Sequence, residues 1–512
     1  MTMIKNKISI VFWLMVTAIM ISSSCRKDLG NYEYKEINEV GITDIKESYE
    51  AISGQKIEIR PTLQFTKDSG NDTSKYSYEW FAVDDSSAPV VKKPIAKTHD
   101  LNWVVNLPSI PKRYLGYYVV TEKSTGITWR TTFSLKVNTN IADGWLILNE
   151  VNNEARLDFY NYLSSSQNFL YYNDILSSQT TIKLSGKPKL LYFYNRRDPF
   201  SNVSGRAIFV GTDKDTYIIN TQNNTFSSYV SMLSIINGYA PPPYYAQKVR
   251  SQATWLAYLL DSKGQLFFEN STQATAFGNR VNRLSNGQLI NISPYFAEYY
   301  GGTLSSYALM YDVDNKRFIE HKDINTSSSV PATSSTLLDP GNVGMDLMYM
   351  DSTPALSGQT YAVFKDSKGK VFLARIVCNN TAFDPVAFDE VSTAPEMANA
   401  TQFAIDPVEG YVMYLAGSKI YRYNPFDRSN TMVVDLGSRK VSLIKYHKML
   451  YNRSNVRYAE YAKKLIICSY DEANPATSGK MELYNVPNLN GALTLFGSFD
   501  GLGKIVEVSY RE

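Results

Sequence analysis

The sequence repeats one strand–turn–strand unit, and this repeat constrains the fold more than any other feature. Asp-Ser-Lys-Gly occurs at 261–264, between TWLAYLL and QLFF, and again at 366–369, between TYAVFK and KVFLARI. In each copy the Asp can bond the backbone of the turn and the Gly can adopt a positive φ, so each copy predicts a β-hairpin. Similar units use other turn residues, and their turns lie near residues 152, 213, 314, 418 and 474.

Seven turns at intervals of about 50 residues are typical of a β-propeller. Each hairpin would form the two middle strands of a blade. An inner strand such as Thr401–Pro407 would precede it, and an outer strand such as Ala382–Val391 would follow it. The first unit starts directly at Trp145 and lacks an inner strand, which the last strand of the chain, Lys504–Glu512, can supply. This pairing would remove exposed sheet edges. We therefore predict a seven-bladed β-propeller over 141–512, closed by the C-terminal strand.

A shorter β-rich block precedes the repeat, over residues 39–140. It contains short strands separated by turn residues, which predicts an all-β, immunoglobulin-like sandwich. Three segments alternate apolar and polar residues: Gly54–Phe65, Lys75–Val83 and Gly116–Val137. We predict that Trp80 lies in the core of the sandwich, with Tyr117 and Trp129 packed near it. A binding surface made by these three aromatic residues is the alternative.

The N-terminus has the pattern of a bacterial lipoprotein signal. Two lysines, the uncharged apolar run Ile8–Ile21 and three serines precede Cys25. The apolar run is too short for a comfortable membrane span. We predict a signal peptide over 1–24, lipidation of the Cys25 thiol, and a polar tether over 25–38. An ordinary signal peptide with an incidental Cys, or a short anchor helix, is the alternative. The segment departs from the usual lipoprotein pattern at Ser22, where such signals usually carry Leu.

The composition argues against several functional classes. A net charge of +3 over 512 residues gives no electrostatic footprint for nucleic acid. The three histidines lie far apart, and no catalytic, nucleotide-binding or metal-binding motif is present. Cys378 and Cys468 lie in apolar runs and are expected to be buried. We therefore predict no catalytic residue, no metal and no cofactor.

Acidic turn residues are the one pattern that resembles a metal site. Asp312–Arg317 begins like a calcium loop but lacks the Gly and the Glu that such loops need. A hairpin turn accounts for it. A ring of turn carboxylates on one face of the propeller is the functional alternative, and it would use these residues: Asp213, Asp261, Asp366 and Asp471.

Two tyrosine-rich loops are the candidate ligand site. The segments at 237–248 and 291–302 each precede a predicted inner strand, and Tyr244 and Tyr295 are one repeat apart. We expect them to project from neighbouring blades on one face, where amphipathic rings suit sugars and peptides. Packing between the blades is the alternative for these rings. The predicted ligand-binding residues are Tyr244, Tyr245, Tyr295, Tyr299 and Tyr300.

Three further segments carry a resemblance to a known family: CRKDLGNYEY at 25–34, YEW at 78–80 and DGWLILNE at 143–150. With them the chain resembles the PKD-like family lipoproteins of Bacteroidetes over essentially its whole length. The resemblance implies a PKD-like sandwich followed by a propeller-like region. It also implies a lipid-anchored outer-membrane location, at the cell surface or facing the periplasm, beside nutrient transporters and their substrate-binding lipoproteins. It brings no catalytic residue and no defined ligand.

Two functions fit the sequence. The first is a non-enzymatic accessory lipoprotein of a nutrient-uptake system. It would bind or scaffold a glycan, a peptide or a transporter partner through the propeller face. The second is a propeller-type lyase or hydrolase that acts on the same nutrient, since propellers also host enzymes. A cluster of acidic, basic or histidine side chains at the channel mouth would distinguish the two.

Overall fold

A computed structural model gives the structure of the chain. It describes residues 37–512, apart from 53–54, 71, 85–89, 108–112, 139–142, 164–166, 198–203, 222–225, 227, 238–240, 254, 272–275, 299–305, 323–324, 450–453 and 489–490. The described residues are mostly β-strand, as predicted, and they divide into two compact units. Cys25, the predicted signal peptide and most of the predicted tether lie outside the described residues.

Of the described residues, the first unit comprises 37–49 and those within Lys56–Val104 and Lys112–Lys136. Its strands are β1 (Val40–Thr43), β2 (Ser48–Ile52), β3 (Lys56–Ile59), β4 (Thr62–Phe65), β5 (Tyr76–Asp84), β6 (Val91–Ala96), β7 (Leu101–Val104), β8 (Tyr114–Glu122) and β9 (Thr128–Asn138). One sheet has the order β2-β9-β8-β5-β6, and two further sheets are the pairs β1-β4 and β3-β7. A short 3-10 helix, Thr73–Lys75, precedes β5.

Trp80 lies in the core of this unit, as predicted. It is fully buried, and its ring centroid lies 4.2 Å from that of Tyr118 on the neighbouring strand. The expectation that Tyr117 packs near Trp80 is wrong. Successive side chains of a strand point to opposite faces, so Tyr117 stacks on Phe81 at 4.7 Å on the other side of the sheet. Trp129 pairs with Val120 and is half-buried.

The second unit contains seven antiparallel sheets within the part of the chain that the structure describes. Their strands are, sheet by sheet, β10 (Gly144–Val151), β11 (Glu154–Leu163) and β12 (Asn168–Tyr172); β13 (Pro188–Arg197), β14 (Ser204–Thr212), β15 (Thr216–Asn220) and β16 (Ser228–Ser231); β17 (Ala246–Ala253), β18 (Leu256–Asp261), β19 (Leu266–Asn270) and β20 (Asn279–Arg280); β21 (Ala297–Glu298), β22 (Tyr307–Asp312) and β23 (Arg317–Lys322); β24 (Asp346–Thr353), β25 (Gln359–Lys365), β26 (Val371–Cys378) and β27 (Phe383–Glu390); β28 (Gln402–Ile405), β29 (Val412–Ala416), β30 (Lys419–Tyr423) and β31 (Asn430–Asp435); and β32 (Lys440–Tyr446), β33 (Leu465–Tyr470), β34 (Gly479–Asn485) and β35 (Thr494–Leu502). The last strand, β36 (Lys504–Arg511), joins the first sheet.

Each predicted hairpin of the repeat is present, and its two strands pair antiparallel. The pairs are β10-β11, β14-β15, β18-β19, β22-β23, β25-β26, β29-β30 and β33-β34. The segment predicted as a calcium loop or a hairpin turn connects β22 and β23. Asp312 Oδ1 accepts a 3.1 Å hydrogen bond from the backbone N–H of Asn315 there, as expected for a turn.

The two Asp-Ser-Lys-Gly turns have the predicted geometry. Asp261 Oδ1 accepts two backbone hydrogen bonds of 2.8 Å within its turn, and Asp366 Oδ1 accepts the equivalent two at 2.9 and 2.8 Å. Gly264 and Gly369 have φ angles of +73° and +84°, which side chains other than that of glycine rarely adopt. Asp-Ser-Lys-Gly therefore forms the tight turn of both hairpins, with the same backbone hydrogen bonds to the Asp side chain.

The C-terminal strand pairs with the first strand of the repeat, as predicted. Strand β36 runs antiparallel to β10, with Tyr510 opposite Trp145 and Val508 opposite Ile147. All four side chains are fully buried. The first sheet therefore has the order β12-β11-β10-β36 and draws its strands from both ends of the second unit.

Seven apolar clusters fill the second unit within its described residues, and each cluster takes side chains from two successive sheets. One of them joins the last sheet to the first, because it contains Ile466 and Met481 together with Trp145 and Val508. One end strand of each sheet contacts the corresponding strand of the next sheet. The order of these strands is β36, β13, β17, β21, β24, β28, β32 and again β36.

Short helices occupy connections of the second unit. They are α1 (Ile175–Gln179), α2 (Ala355–Gly358) and α3 (Val456–Ala462), with 3-10 turns at Met232–Ser234 and Pro395–Asn399. Asn455 caps α3, since its side chain accepts from the N–H of Arg457 at 3.0 Å. The free cysteines Cys378 and Cys468 are buried, as predicted.

Candidate functional site

A cavity of about 420 Å³ lies in the second unit, within the size range of small-molecule sites. Most of its wall comes from the strands that begin the sheets, namely β13, β17, β24, β28, β32 and β36. Residues beside these strands, such as Tyr295 and Lys448, complete it. The cavity therefore lies where the successive first strands face one another.

Strand alternation brings charged side chains to this cavity. On β17, Lys248 and Arg250 line the cavity while Val249 between them is buried in an apolar cluster. On β24, Tyr349 and Asp351 line the cavity on either side of a buried methionine. The two-residue period of a strand thus separates a polar inner face from the apolar packing between sheets.

Four charged residues form a network at the wall. The Nζ of Lys448 donates to Glu298 Oε1 at 2.7 Å, to Asp351 Oδ1 at 2.9 Å and to Ser352 Oγ at 3.0 Å. Arg250 lies 3.3 Å from Asp351 Oδ2 and 4.0 Å from Glu298 Oε1. Burial alone would raise the pKa of Asp351, but Arg250 and Lys448 outweigh it and hold that pKa well below its usual range. Asp351 is therefore ionised and held by its ion pairs before any ligand binds.

A second ion pair lies on the neighbouring wall. The Nζ of Lys445 donates to Glu507 Oε1 at 2.6 Å and to the carbonyl of Val508 at 3.0 Å. His447 lies next to it and accepts a 3.2 Å hydrogen bond from the backbone N–H of Tyr510. Burial, with a smaller effect of Lys445, lowers the pKa of His447 well below its usual range. The imidazole is therefore neutral and holds β32 against β36.

Lys248 differs from Arg250, Lys445 and Lys448, which all form ion pairs at the cavity wall. No hydrogen bond or ion pair joins its ammonium to any described residue. The Nζ lies 5.1 Å from the ring centroid of Tyr295. The side chain keeps part of its surface exposed, but many protein atoms surround it. Burial and the charge of Arg250 lower the pKa of Lys248 to about 7. Near neutral pH this amine is therefore about half protonated.

Among the predicted ligand-binding residues that the structure describes, Tyr295 alone lies in the cavity wall. It is half-buried, and its ring meets that of Tyr349 at 5.2 Å and 61°. The hydroxyl of Tyr349 donates to Asp351 Oδ2 at 3.1 Å. The aromatic wall and the charged network are thus joined through one side chain.

Neither Tyr244 nor Tyr245 joins Tyr295 in the cavity wall. Tyr244 is 5% exposed and lies in the apolar cluster between the second and third sheets, so the expectation that its ring projects from a rim is wrong. Packing between sheets, the alternative, describes its position. Tyr245 is half-buried and does not line the cavity. Tyr299 and Tyr300 lie outside the described residues, and ligand binding by them stays a prediction.

The sequence did not predict the charged residues Lys248, Arg250, Asp351 and Lys448 of the cavity wall, nor Glu298, which pairs with Lys448. A local pattern could have found only the first two, because Lys248 and Arg250 alternate with an apolar residue at the start of a predicted inner strand. Glu298 lies in one of the two tyrosine-rich segments, where the rings drew attention instead. Within the described residues, no cluster of three or more His, Cys, Asp or Glu side chains could hold a metal ion. No helix among them is long and apolar enough to cross a bilayer.

Comparison with known proteins gives limited similarity. No curated protein sequence matches the chain. A quinonprotein alcohol dehydrogenase-like protein of Bacteroides thetaiotaomicron has 13% identity and a TM-score of 0.41, over 91% of this chain and 97% of that one. A chain of the mitotic checkpoint complex has 11% identity and a TM-score of 0.34, and the match covers 61% of this chain and 79% of that one. A triple mutant of AofleA from Arthrobotrys oligospora has 11% identity and a TM-score of 0.31, and the match covers 64% of this chain and 94% of that one. These similarities carry no argument about function.

The N-terminal part of the chain gives a firmer result. The sequence model of the PKD-like family matches residues 25–188, a range that includes the first unit and the strands β10 to β12. The resemblance predicted from the segments at 25–34, 78–80 and 143–150 is thereby confirmed. The chain is thus similar to the PKD-like family over residues 25–188.

Proposed function

We propose that this chain is a lipid-anchored accessory binding protein of an outer-membrane nutrient-uptake system. Its first unit is a PKD-like sandwich, its second unit is a seven-bladed β-propeller, and a polar ligand binds in the propeller's central cavity. One observation carries the proposal: the first strands of the sheets enclose a preformed cavity in which the described charges are paired, except for those of Lys248 and of the solvent-exposed Lys189.

The propeller is supported by the way the sheets pack. Each apolar cluster joins two successive sheets, and the cluster around Trp145 and Met481 joins the last to the first. The pairing of β36 with β10 gives the first sheet strands from both ends of the unit. In a propeller this arrangement leaves few free sheet edges and forms a central channel lined by the inner strands.

Ligand binding is supported by the state of the cavity wall. The ion pairs of Arg250 and Lys448 hold the polar groups in place, so binding would cost little ordering of side chains. Two buried atoms of this network, Arg250 Nε and Glu298 Oε2, have no hydrogen-bond partner among the described residues. A hydroxyl group donates and accepts at once and could complete such a network, directly or through water. A polyhydroxylated ligand, such as a sugar, suits this wall and the ring of Tyr295.

The membrane anchor is supported by the sequence. The apolar run that ends in three serines and Cys25 is typical of a lipoprotein signal. The match to the PKD-like family begins at the same residue, 25. Lipidation at Cys25 would hold the polypeptide at the outer membrane, where a transporter and its substrate-binding lipoprotein are the proposed partners.

A lyase that acts on the same ligand is the second candidate, and Lys248 is the observation that favours it. An amine with a pKa of about 7 can act as a general base at neutral pH. On a uronic-acid sugar it would take the proton next to the carboxylate. The C–O bond at the neighbouring carbon would then break, a C=C bond would form, and the leaving oxygen would take up a proton. Ultraviolet absorbance of the unsaturated product would detect this reaction.

The test of the proposed function uses the full chain with Cys25→Ser, which keeps the protein free of lipid. It is applied to an array of plant and host polysaccharides and their oligosaccharides, and hits are measured by titration calorimetry. We expect Tyr295→Ala to weaken binding about tenfold or more. Tyr245→Ala is the matched control, because that ring does not line the cavity. Binding that Tyr245→Ala abolishes and Tyr295→Ala leaves intact would move the site from the cavity to the rim.

A further inference from the structure

We infer that the ligand of the cavity carries a single carboxylate, as a uronic-acid sugar does, and that the ammonium of Lys248 pairs with it. This inference rests on the proposed function, because it names the chemical class of the ligand in the same cavity.

The first step is the charge balance of the cavity wall. The carboxylates of Glu298, Asp351 and Glu507 each have a cationic partner within the wall. The cations that supply these contacts are Arg250, Lys445 and Lys448. These three anions and three cations balance. Two lysines of the lining remain: Lys189, which is exposed to solvent, and Lys248, which is half-buried and supplies the one excess positive charge of the described lining that is not exposed.

The second step is the position of that charge. Lys248 faces the cavity and stands 5.1 Å from the centroid of the Tyr295 ring, which lines the same cavity. An anion that pairs with the ammonium would therefore lie beside a flat aromatic surface. A sugar ring that bears a carboxylate presents both features together, a charged group and an apolar face.

The charge of Lys248 fits a ligand group with a charge of −1 better than one with a charge near −2. A phosphate monoester carries a charge near −2 at neutral pH. Lys189 is exposed to solvent, so the half-buried Lys248 alone would leave part of that charge unpaired in a confined site. The guanidinium of Arg250 already contacts Asp351 and Glu298, so it is not free for a bidentate contact with phosphate. A carboxylate matches the single charge of Lys248.

The groups that face Lys248 set its response to pH. Arg250 on the same strand disfavours the charged amine, whereas Asp351 on β24, Glu298 on β21 and Glu507 on β36 favour it. Burial outweighs these carboxylates and brings the amine pKa to about 7. Because a carboxylate binds the protonated amine, affinity should fall as the pH rises above about 7, and binding near that pH should take up protons from the buffer.

The experiment compares matched sugars that differ only in the carboxylate: galacturonate with galactose, glucuronate with glucose, and mannuronate with mannose, each as monomer and short oligomer. Titration calorimetry on the full Cys25→Ser chain is run at about pH 6 and about pH 9, on either side of the Lys248 pKa. We expect at least one acid to bind about tenfold or more tightly than its neutral partner at the lower pH. This preference should shrink at the higher pH.

Lys248→Met should remove the preference, and Lys248→Arg should restore it. Lys368→Met, in an exposed turn, should leave it unchanged. Equal affinity for acid and neutral sugars, or a preference that survives Lys248→Met, would overturn the inference and leave the proposed function standing. The absence of any cavity-dependent binding, to these sugars and to the array, would overturn both.

Discussion

The hydroxyl of Tyr244 donates a 2.9 Å hydrogen bond to Oδ2 of Asp261. The other oxygen of the same carboxylate accepts from the backbone N–H groups of Lys263 and Gln265 at 2.8 Å each. Both partners are buried. One carboxylate therefore shapes the hairpin turn and ties it to the segment that precedes β17.

We expect Tyr244 to be a stability residue. Tyr244→Phe would leave one oxygen of a buried carboxylate unpaired and cost about 1–3 kcal/mol of unfolding free energy. Tyr244→Ala would also open a cavity and cost about 3–5 kcal/mol. Urea unfolding measures both, with Tyr245→Phe as the control near zero. If Tyr244→Ala kept the parent's stability but lost ligand binding, the ligand site predicted from the two tyrosine-rich loops would regain support.

The second prediction concerns the joint between β36 and β10. Ile505 is fully buried in the cluster that joins the last sheet to the first, so Ile505→Ala should cost about 2–5 kcal/mol. The half-buried neighbour Val506 provides a control, and Val506→Ala should change stability far less. Thermal unfolding compares the two.

Deletion of residues 504–512 tests the same joint more severely. It would leave the edge of β10 unpaired, and a free edge promotes association between chains. We expect the truncated chain to unfold at a lower temperature or to aggregate on size-exclusion chromatography. A truncated chain that is monomeric and as heat-stable as the parent would show that β36 contributes little to the second unit.

The hairpins could be predicted from the sequence because their chemistry is local. An Asp and a Gly three residues apart, between apolar runs, define each Asp-Ser-Lys-Gly turn without help from the rest of the chain. The pairing of β36 with β10 was also accessible, since the repeat left one strand missing at the start and one spare at the end. Both predictions used periodicity and turn residues alone.

The cavity could not be predicted in this way. Lys448 and Glu298 form one of its ion pairs across 150 residues of sequence. Nothing local distinguishes a charged residue that faces a central cavity from one that faces solvent. The same limit misplaced Tyr244: it lies one repeat from Tyr295, yet one ring is buried between sheets and the other lines the cavity. Only the packing of the sheets decides such differences.

The third prediction uses a buried ion pair between β13 and β19. Arg196 Nε lies 3.0 Å from Glu269 Oε2, and the two side chains are 2% and 0% exposed. Arg196→Met would leave a carboxylate buried without its cation and should cost about 3–5 kcal/mol. Arg428 and Asp389 form an exposed pair at 2.9 Å, so Arg428→Met should cost less than about 1 kcal/mol. Equal effects in denaturant unfolding would contradict this contrast.

The fourth prediction is lipidation at Cys25. Cys25→Ser should abolish metabolic labelling with palmitate and release the chain from membranes, because the thiol is the predicted acceptor of the lipid. Cys468→Ser is the control, since that thiol is buried within β33. Labelling that persists in the Cys25→Ser chain would rule out the lipoprotein interpretation.

The last prediction follows from the pKa of Lys248, which folding lowers from 10.5 to about 7. Between these values the unfolded chain binds more protons than the folded chain at this site. The site therefore makes the unfolding free energy rise with pH from about 7 to about 10.5, and this contribution is lost as the pH falls through 7. Lys248→Met removes the titrating group.

The unfolding free energy of Lys248→Met should therefore exceed that of the parent most at low pH. This difference should shrink steadily as the pH rises above about 7. Urea unfolding at a series of pH values measures the difference between the two chains. Lys368→Met is the control and should give a difference that does not change with pH, because this lysine is exposed in a turn. Parallel curves for the parent and Lys248→Met would mean that the amine keeps an ordinary pKa in the folded chain, and that the cavity stabilises its charge as well as water does.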